Sequence, residues 1–333
     1  MFTSYVGSFP LEYSRGNLER ILKDVLEIPI DYPCYPQLQD FIAQFLNPLV
    51  DSGILERRKR GYILLEEVSP RVNVFKAEEQ ALWTVEYIRR SPLRERISGL
   101  KACVTGPFTL STKIYIDEPL TMSNLMINSM EHIENLLHYL RVIIRDLSNM
   151  GYEYINIDEP YLSVMVGKRM ILHGYSTDDI IDILDRLART IPKISGIHVC
   201  GRLSPELVEI LSQTSFLLLD HEFADTPQNF QAFSREVLED YDKFIALGIL
   251  SSKRPVLETP KEALKIIENA VKKYGVERIR IIKPDCGFRG LKGVVGTSES
   301  AYEIAIKKLK LLNKIKLLAI NRYGIDIEEL RLK

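Results

Sequence analysis

The chain has 333 residues, of which 46% are hydrophobic and 27% charged, so it can bury a sizeable core. Its 44 basic and 45 acidic residues leave a formal charge of -1, which argues against nucleic acid as a partner because such binding needs a clustered basic excess. No apolar stretch approaches the roughly 20 residues that span a membrane, and the first residues lack a signal-peptide pattern, so we expect a cytoplasmic protein.

One unit recurs along the chain: a short apolar, β-branched run that ends in polar or Gly-rich residues and precedes a helical pattern. The apolar runs lie at Tyr5–Phe9, Lys101–Gly106, Tyr154–Glu159, Gly196–Gly201, Phe216–Glu222, Phe244–Leu250 and Ile279–Cys286. A further strand, second in the order, is expected at either Ile28–Asp31 or Tyr62–Leu65. The clearest amphipathic helices are Thr177–Thr190, Pro205–Ser212, Lys261–Lys273 and Ser300–Leu312.

This alternation of buried strands and helices predicts an α/β fold with a parallel sheet. Seven or eight such units fit a (β/α)8 TIM barrel, and we expect residues 1–333 to form a single domain. A doubly wound open sheet is the alternative, but no Gly-x-Gly-x-x-Gly turn follows the first run. Active residues of barrels gather at the carboxyl ends of the strands. The chemically interesting side chains of this chain lie at those ends: Ser8, Asp158, Glu159, His198, Cys200, Glu222, Lys253, Asp285 and Cys286.

A metal site is the first chemistry that these residues suggest. His198 and Cys200 are two residues apart, so on a strand both side chains point to the same face. Cys286 follows the last run, and Glu222 ends the run after Cys200. Thiolates and imidazole suit zinc, and a carboxylate can complete a tetrahedron. Buried side chains without a metal remain the alternative, and Asp220 or His221 are alternatives to Glu222 as a ligand.

Two further motifs allow more than one interpretation. Asp158 and Glu159 are adjacent acids at a strand end, able to bind a substrate ammonium, coordinate a metal, serve as general bases or cap a loop. Gly7 and Ser8 form a turn whose backbone N–H groups can hold a carboxylate or phosphate, although an ordinary tight turn has the same pattern. The remaining cysteines, Cys34 and Cys103, are expected to be ordinary buried side chains.

Five short motifs together resemble the catalytic barrel of the cobalamin-independent methionine synthase family. They are Gly-Ser-Phe-Pro at 7–10, Gly-Pro-Phe-Thr at 106–109, Ile-Asp-Glu-Pro at 157–160, His-Val-Cys at 198–200 and Pro-Asp-Cys-Gly at 284–287. The resemblance implies a TIM barrel and a zinc ion (Zn2+) held by His198, Cys200, Glu222 and Cys286. It also implies that Asp158 binds the amino group of homocysteine and that Gly7 and Ser8 meet its carboxylate. We therefore assign Asp158 a catalytic and substrate-binding role, and Glu159 a substrate-binding role beside it.

Zinc chemistry explains why such a site would methylate a thiol. A free thiol has a pKa of about 8.5 and is mostly protonated at neutral pH, whereas only the thiolate is a good nucleophile. Coordination to zinc removes that proton. The resemblance therefore implies a zinc-dependent methyltransferase that converts homocysteine to methionine.

Departures from the family pattern leave the methyl donor open. The chain has no room for the second barrel of the folate-dependent enzymes, and the segment Gly248–Lys253 lacks the catalytic histidine that those enzymes carry. Lys253 stands where short, single-barrel members tend to have lysine, and we assign it a catalytic role. A donor that departs without needing a proton suits this site, so we favour a methylcorrinoid, such as methylcobalamin or a corrinoid protein, over methyltetrahydrofolate. The alternatives are a zinc enzyme that acts on another thiol such as coenzyme M, or a non-catalytic subunit that needs a partner protein in place of the missing barrel.

Overall fold

A computed structural model of the chain describes residues 1–68, 75–326 and 330. Its strands are β1 Phe2–Thr3, β2 Leu55–Arg58, β3 Gly61–Leu64, β4 Leu100–Thr105, β5 Ile114–Tyr115, β6 Tyr152–Asp158, β7 Ile194–Val199, β8 Leu218–His221, β9 Phe244–Leu250 and β10 Ile279–Pro284. Its helices are α1 Arg15–Glu27, α2 Ala43–Asp51, α3 Phe75–Arg90, α4 Pro107–Ser111, α5 Met130–Met150, α6 Leu162–Met165, α7 Thr177–Ala188, α8 Pro205–Gln213, α9 Asn229–Ala232, α10 Arg235–Asp240, α11 Pro260–Tyr274, α12 Lys292–Val295 and α13 Ser298–Tyr323.

The main sheet is parallel and curled, with the strand order β1-β10-β9-β8-β7-β6-β4. Its six longer strands, β4 and β6 to β10, lie within the predicted apolar runs or within two residues of them. A smaller sheet, in the order β2-β3-β5, is separate from it. The ladder of β1 covers only Phe2 and Thr3, so the first strand begins earlier than the predicted run Tyr5–Phe9.

The segment 32–37 closes the sheet into a barrel between β1 and β4. The backbone N–H of Tyr32 donates to Thr3 O at 3.0 Å, and that of Gln37 donates to Gly7 O at 2.8 Å. On the other side, Tyr35 N–H donates to Lys101 O at 3.1 Å. Residues 33 and 36 are prolines without an N–H, so the segment makes only isolated bridges instead of a continuous ladder. The segment 32–37 thus occupies the eighth strand position, and the architecture is the predicted TIM barrel.

Both predicted positions of the second strand are wrong as barrel positions. Ile28–Asp31 lies just before the segment 32–37 that fills this place. Tyr62–Leu65 overlaps β3, which pairs with β2 as an antiparallel hairpin outside the barrel. The prolines of the true segment concealed it, because they interrupt the apolar alternation typical of a strand.

The predicted helices are confirmed as α7, α8, α11 and α13, and three of them begin at clear sequence signals. At α7 the Ser176 hydroxyl accepts from Asp179 N–H while the Asp179 carboxylate accepts from Ser176 N–H. Thr259 and Glu262 make the same reciprocal pair at α11. Proline occupies the first position of α8 and α11, where its missing N–H costs nothing. Among the described residues, no helix combines the length and apolar character that a membrane crossing requires.

Candidate active site

Three potential metal ligands converge at the carboxyl end of the barrel. His198 on β7, Cys200 just after it and Cys286 just after β10 place their ligand atoms within 4.8 Å of one another. His198 Nε2 lies 2.9 Å from Cys200 Sγ, which lies 3.4 Å from Cys286 Sγ. In a tetrahedral zinc site with bonds of about 2.3 Å, two thiolates lie about 3.8 Å apart. The three side chains therefore fit a zinc ion after a movement of a few tenths of an ångström.

The other ring nitrogen of His198, Nδ1, contacts Asp220 on the side of the ring that faces away from the thiols. Nδ1 lies 2.8 Å from Asp220 Oδ1 and 3.0 Å from the Asp220 backbone oxygen. Both oxygens accept, so Nδ1 carries the proton and Nε2 is directed at the thiols. Burial lowers the pKa of the His198 imidazole, but Asp220 outweighs it and raises that pKa to about 10. Metal binding at Nε2 is therefore coupled to release of a proton.

Asp220 in turn lies between two lysines inside the barrel. Lys283 Nζ is 2.7 Å from Asp220 Oδ1, and Lys101 Nζ is 3.3 Å from Oδ2, with all three side chains fully buried. Burial alone would raise the pKa of Asp220, but Lys283, Lys101 and His198 together lower it well below the ordinary aspartate range. The carboxylate is thus charged and can accept from His198.

The two thiols of the site differ in acidity. A hydrogen bond from Cys200 and the nearby His198 and Lys283 hold the pKa of Cys286 well below the ordinary thiol range, against the effect of burial. The same shared hydrogen bond, together with burial, raises the pKa of Cys200. One of the two sulfurs is therefore prepared as a thiolate, the form that binds metals.

Glu222 lies near these ligands but outside the group of three. Its fully buried carboxylate accepts from Lys253 Nζ at 3.2 and 3.3 Å and from the Thr226 hydroxyl at 3.1 Å. The loop after Glu222 is fixed by Asp285, which accepts from the backbone N–H groups of residues 223, 224 and 225 at 3.0, 3.1 and 2.5 Å. Lys253 is thus paired with Glu222, while 61% of its side chain remains exposed.

Neither alternative to Glu222 lies beside the two thiols. Asp220 binds His198 and the lysines from inside the barrel, so its oxygens are behind the imidazole and not beside the thiols. His221 packs its ring against Phe233 at 5.4 Å, and burial lowers its pKa to about 3. Residues 220 and 222 share one face of the strand and residue 221 faces away from them.

A cavity of about 400 Å³ opens above the three ligands. Its wall includes Ser8, Gln37, Asp40, Asp158 and Arg289 as well as His198, Cys200 and Cys286. Asn156 Nδ2 donates to Asp158 Oδ1 at 2.8 Å, and burial raises the pKa of Asp158 to about 6. Asp158 is therefore mostly a carboxylate at neutral pH and can bind a cation in the cavity.

Gly7 and Ser8 lie on the segment that follows β1, at the edge of the cavity. Ser8 is part of the wall, whereas Gly7 is buried against the segment 32–37, and a Cβ on it would lie 2.3 Å from Tyr35 O. Gly287 also has little space, because its Cβ would lie 1.8 Å from Ser8 Oγ and 3.0 Å from Ser8 Cβ. Gly7 lets the segment after β1 approach segment 32–37, and Gly287 lets the loop after β10 approach Ser8 beside Cys286.

Glu159 is directed away from the cavity, although its neighbour Asp158 lines it. Its carboxylate accepts from Phe108 N–H at 2.9 Å and from the N–H and hydroxyl of Thr109 at 2.8 and 2.5 Å. These donors belong to the first turn of α4, so Glu159 caps that helix. A Cβ at Gly106 would lie 2.2 Å from Glu159 Oε1, which explains the glycine before Pro107.

Several residues of the site have a role that the sequence pattern did not predict. Lys101 and Lys283 hold Asp220 behind His198, yet each lysine lies in an apolar run, and the pattern presented Asp220 only as an alternative metal ligand. Arg289 joins the cavity wall by donating to the backbone oxygen of Gln39 and, at 3.1 Å, to that of Leu38. Residues along a barrel strand point alternately inward and outward, and this alternation places Lys101, Asp220 and Lys283 inside the barrel. It is the feature of the sequence that indicates their position.

Comparison with known proteins places the fold and the family. The family model described as the catalytic domain of cobalamin-independent synthase matches residues 68–301. A B12-independent methionine synthase from Shewanella sp. W3-18-1, solved in complex with selenomethionine, is 16% identical with a TM-score of 0.70 over 97% of this chain and 99% of that chain. A methyltransferase from Methanosarcina mazei is 13% identical with a TM-score of 0.60 over 92% of this chain and 86% of that chain. No curated protein sequence matches significantly.

Proposed function

Because the chain belongs to the family of cobalamin-independent synthase catalytic domains, which are methyltransferases, we propose that it transfers a methyl group to the thiol of homocysteine and forms methionine. The convergence of His198, Cys200 and Cys286 at the floor of a cavity carries this proposal. Two thiols and an imidazole are ligands that zinc prefers, and an open cavity beside them gives a substrate thiol access. We propose Glu222 as the fourth ligand, because its buried carboxylate is close enough to Cys200 to help raise the pKa of that thiol.

When bound, zinc would supply a Lewis acid that stabilises the substrate sulfur as a thiolate. The chain's own residues would hold the rest of the amino acid. Asp158 would accept hydrogen bonds from the ammonium group, and its wall position and carboxylate character support this role. The Ser8 hydroxyl and the backbone of the Gly7–Ser8 turn would bind the carboxylate.

The transfer itself needs few protein groups beyond position. The homocysteine thiol loses its proton to solvent through the open cavity, and its sulfur then forms a bond to the methyl carbon. The bond from that carbon to the donor breaks, and both electrons stay with the donor. Holding the sulfur and the methyl carbon in line supplies much of the rate enhancement. Lys253 lies beside the buried Glu222 with an exposed stem, so we propose that it holds Glu222 in place and contributes a positive charge at the mouth.

A methylcorrinoid is the donor that we propose. In the described structure the segment 248–253 presents Lys253 at the site and contains no histidine to protonate a departing folate nitrogen. A reduced corrinoid departs without needing a proton. Selenomethionine in the Shewanella relative, an analogue of the product methionine, agrees with homocysteine as the acceptor. The carboxylate of Asp158 favours an ammonium-bearing thiol over coenzyme M, whose sulfonate it would repel.

A matrix of two thiols and two donors tests this proposal. Zinc-loaded chain is incubated with homocysteine or coenzyme M and with methylcobalamin or methyltetrahydrofolate, and the methylated thiols are measured by chromatography. We expect methionine from homocysteine and methylcobalamin, and a much lower rate with coenzyme M. The variant Asp158→Asn should raise KM for homocysteine and, because it removes the charge that repels the sulfonate, lower KM for coenzyme M. Absence of product in every combination would contradict the proposal and favour a subunit that needs a partner chain.

A further inference from the structure

The interior of the barrel directly behind His198 contains charged side chains instead of the branched aliphatic residues that usually fill such barrels. Lys101, Asp220 and Lys283 are all fully buried there, 119 and 63 residues apart in sequence. Replacing a buried ion cluster by apolar residues is often neutral or stabilising, so stability alone does not explain why this one is present. Its position suggests another purpose, because its carboxylate contacts the imidazole of a candidate metal ligand.

The cluster leaves His198 with one orientation. Asp220 offers Nδ1 two acceptors, one from its side chain and one from its backbone. Lys283 and Lys101 bind the two carboxylate oxygens from other directions, so the carboxylate cannot rotate away without breaking an ion pair inside the protein. The ring is therefore fixed with Nε2 facing Cys200.

A chain of hydrogen bonds continues from Asp220 to the substrate cavity. The Tyr154 hydroxyl shares its one proton between two acceptors, Asn156 Oδ1 at 3.0 Å and Asp220 Oδ2 at 3.3 Å. Asn156 then donates to Asp158 at 2.8 Å. The neighbouring strand makes space for this chain, because a Cβ at Gly196 would lie 2.4 Å from Asn156 Oδ1 and 2.8 Å from the Tyr154 ring.

We propose that Asp220, held between Lys101 and Lys283, is a positioning residue that sets the Nδ1–H form of His198, and that Tyr154 and Asn156 extend the same network to Asp158. The proposal rests on the proposed zinc site and goes further by naming what orients it. One network then fixes both the metal ligand and the carboxylate that we assign to the substrate ammonium.

The variant Asp220→Asn tests the metal side, with Asp31→Asn as its matched control. Asp31 also lies in a buried ion pair, 2.7 Å from Lys316 Nζ, but it contacts Thr3 at the opposite, amino-terminal end of the barrel. Zinc affinity is measured by competition with a chromophoric chelator, and folding of each protein is checked by circular dichroism. We expect Asp220→Asn to weaken zinc binding by about 10- to 100-fold and Asp31→Asn to leave it unchanged. Equal zinc affinity in Asp220→Asn and the wild type would overturn the proposal.

A spectroscopic measurement on the unmodified chain covers the case in which Asp220→Asn does not fold. In the zinc-loaded protein, nitrogen NMR of the histidine rings should show His198 protonated at Nδ1 and metal-bound at Nε2. The opposite assignment would overturn the proposal. The substrate side is tested with Tyr154→Phe, which should raise KM for homocysteine while zinc affinity stays unchanged. An unchanged KM would remove Tyr154 from the network.

Failure of this inference is distinguishable from failure of the proposed function. If Cys286→Ser loses zinc and Asp220→Asn does not, the zinc site stands and only the positioning role of Asp220 falls. If the wild-type chain binds no zinc, or Cys286→Ser binds it as well as the wild type, the proposed function itself falls.

Discussion

The chain contains two pairs of neighbouring thiols, and only one of them has the surroundings of a metal site. Cys34 and Cys103 lie 3.8 Å apart between the segment 32–37 and β4, and both are fully buried. Cys200 and Cys286 lie 3.4 Å apart, are partly exposed, and have His198 beside them at the floor of a cavity. Two close sulfurs are thus not sufficient: a third donor and access to solvent distinguish the candidate metal-binding pair from the packed one.

The acidity of the thiols follows the same division. The hydrogen bond to Cys34 and burial raise the pKa of Cys103. The hydrogen bond from Cys200, with His198 and Lys283 close by, lowers the pKa of Cys286. The thiol of Cys103 is therefore kept neutral in the core, whereas Cys286 at the partly exposed pair is prepared for a cation.

The largest expected difference between the pairs is in chemical labelling. After zinc is removed with a chelator, Cys286 should react rapidly with iodoacetamide at neutral pH, because its lowered pKa keeps the thiolate populated as the pH falls through the ordinary thiol value of about 8.5. Cys34 and Cys103 should stay unlabelled in the folded chain, and added zinc should protect Cys286. Peptide mass spectrometry measures each site. Faster labelling of Cys103 than of Cys286 would break the comparison.

A serine substitution should lower the free energy of unfolding more at the packed pair than at the partly exposed pair. Cys103→Ser places a hydroxyl in a sealed apolar position, so we expect a loss of about 1–3 kcal/mol in the free energy of unfolding. Cys286→Ser, at the partly exposed site, should cost less when both are compared without zinc. Urea unfolding of the two variants in chelator decides the order. A larger loss for Cys286→Ser would show that its pair also serves the core.

Glu222 tests how far the metal site extends beyond the thiols. Because an amide oxygen keeps the shape but loses the charge of a ligand, we expect Glu222→Gln to weaken zinc binding by about tenfold, or roughly 1.4 kcal/mol. Glu258→Gln is a suitable control, since Glu258 is also a shielded glutamate paired with a lysine, at 2.8 Å from Lys308 Nζ. Chelator competition measures both. Equal zinc affinity for Glu222→Gln and the wild type would exclude Glu222 as a ligand.

The smallest expected effect belongs to Lys253. Its side chain is 61% exposed, and in the zinc-loaded chain the metal would compensate the charge of the buried Glu222 carboxylate once the lysine is removed. Lys253→Met should therefore change urea stability little and keep the zinc content, whereas kcat for methyl transfer should fall if the lysine acts during catalysis. Full activity of a zinc-loaded Lys253→Met would end its assigned catalytic role.

The barrel was predictable where local pattern and tertiary structure agree. The β-branched runs of β4 and β6 to β10 are buried on both faces of a parallel sheet, so hydrophobicity marks them directly. The segment 32–37 was not predictable this way, because Pro33 and Pro36 remove the ladder that defines a strand while its remaining N–H groups still close the barrel. The segment becomes part of the barrel only through hydrogen bonds to the strands on either side of it.

The same limit applies to the site. His198 and Cys200 could be paired from their spacing alone, since residues two apart share a strand face. The different directions of the Asp158 and Glu159 side chains could not be predicted from the sequence. They depend on where α4 places its free backbone N–H groups. The contact of Asp220 with Lys101 and Lys283 joins three strands across the barrel, and no short segment of sequence encodes it.

The zinc content of three proteins purified side by side without chelator tests the central claim most directly. The wild type and Cys103→Ser should each carry about one zinc ion per chain, and Cys286→Ser should carry almost none, because only Cys286 belongs to the group with His198 and Cys200. Equal zinc in Cys286→Ser and the wild type, or loss of zinc from Cys103→Ser alone, would contradict the account.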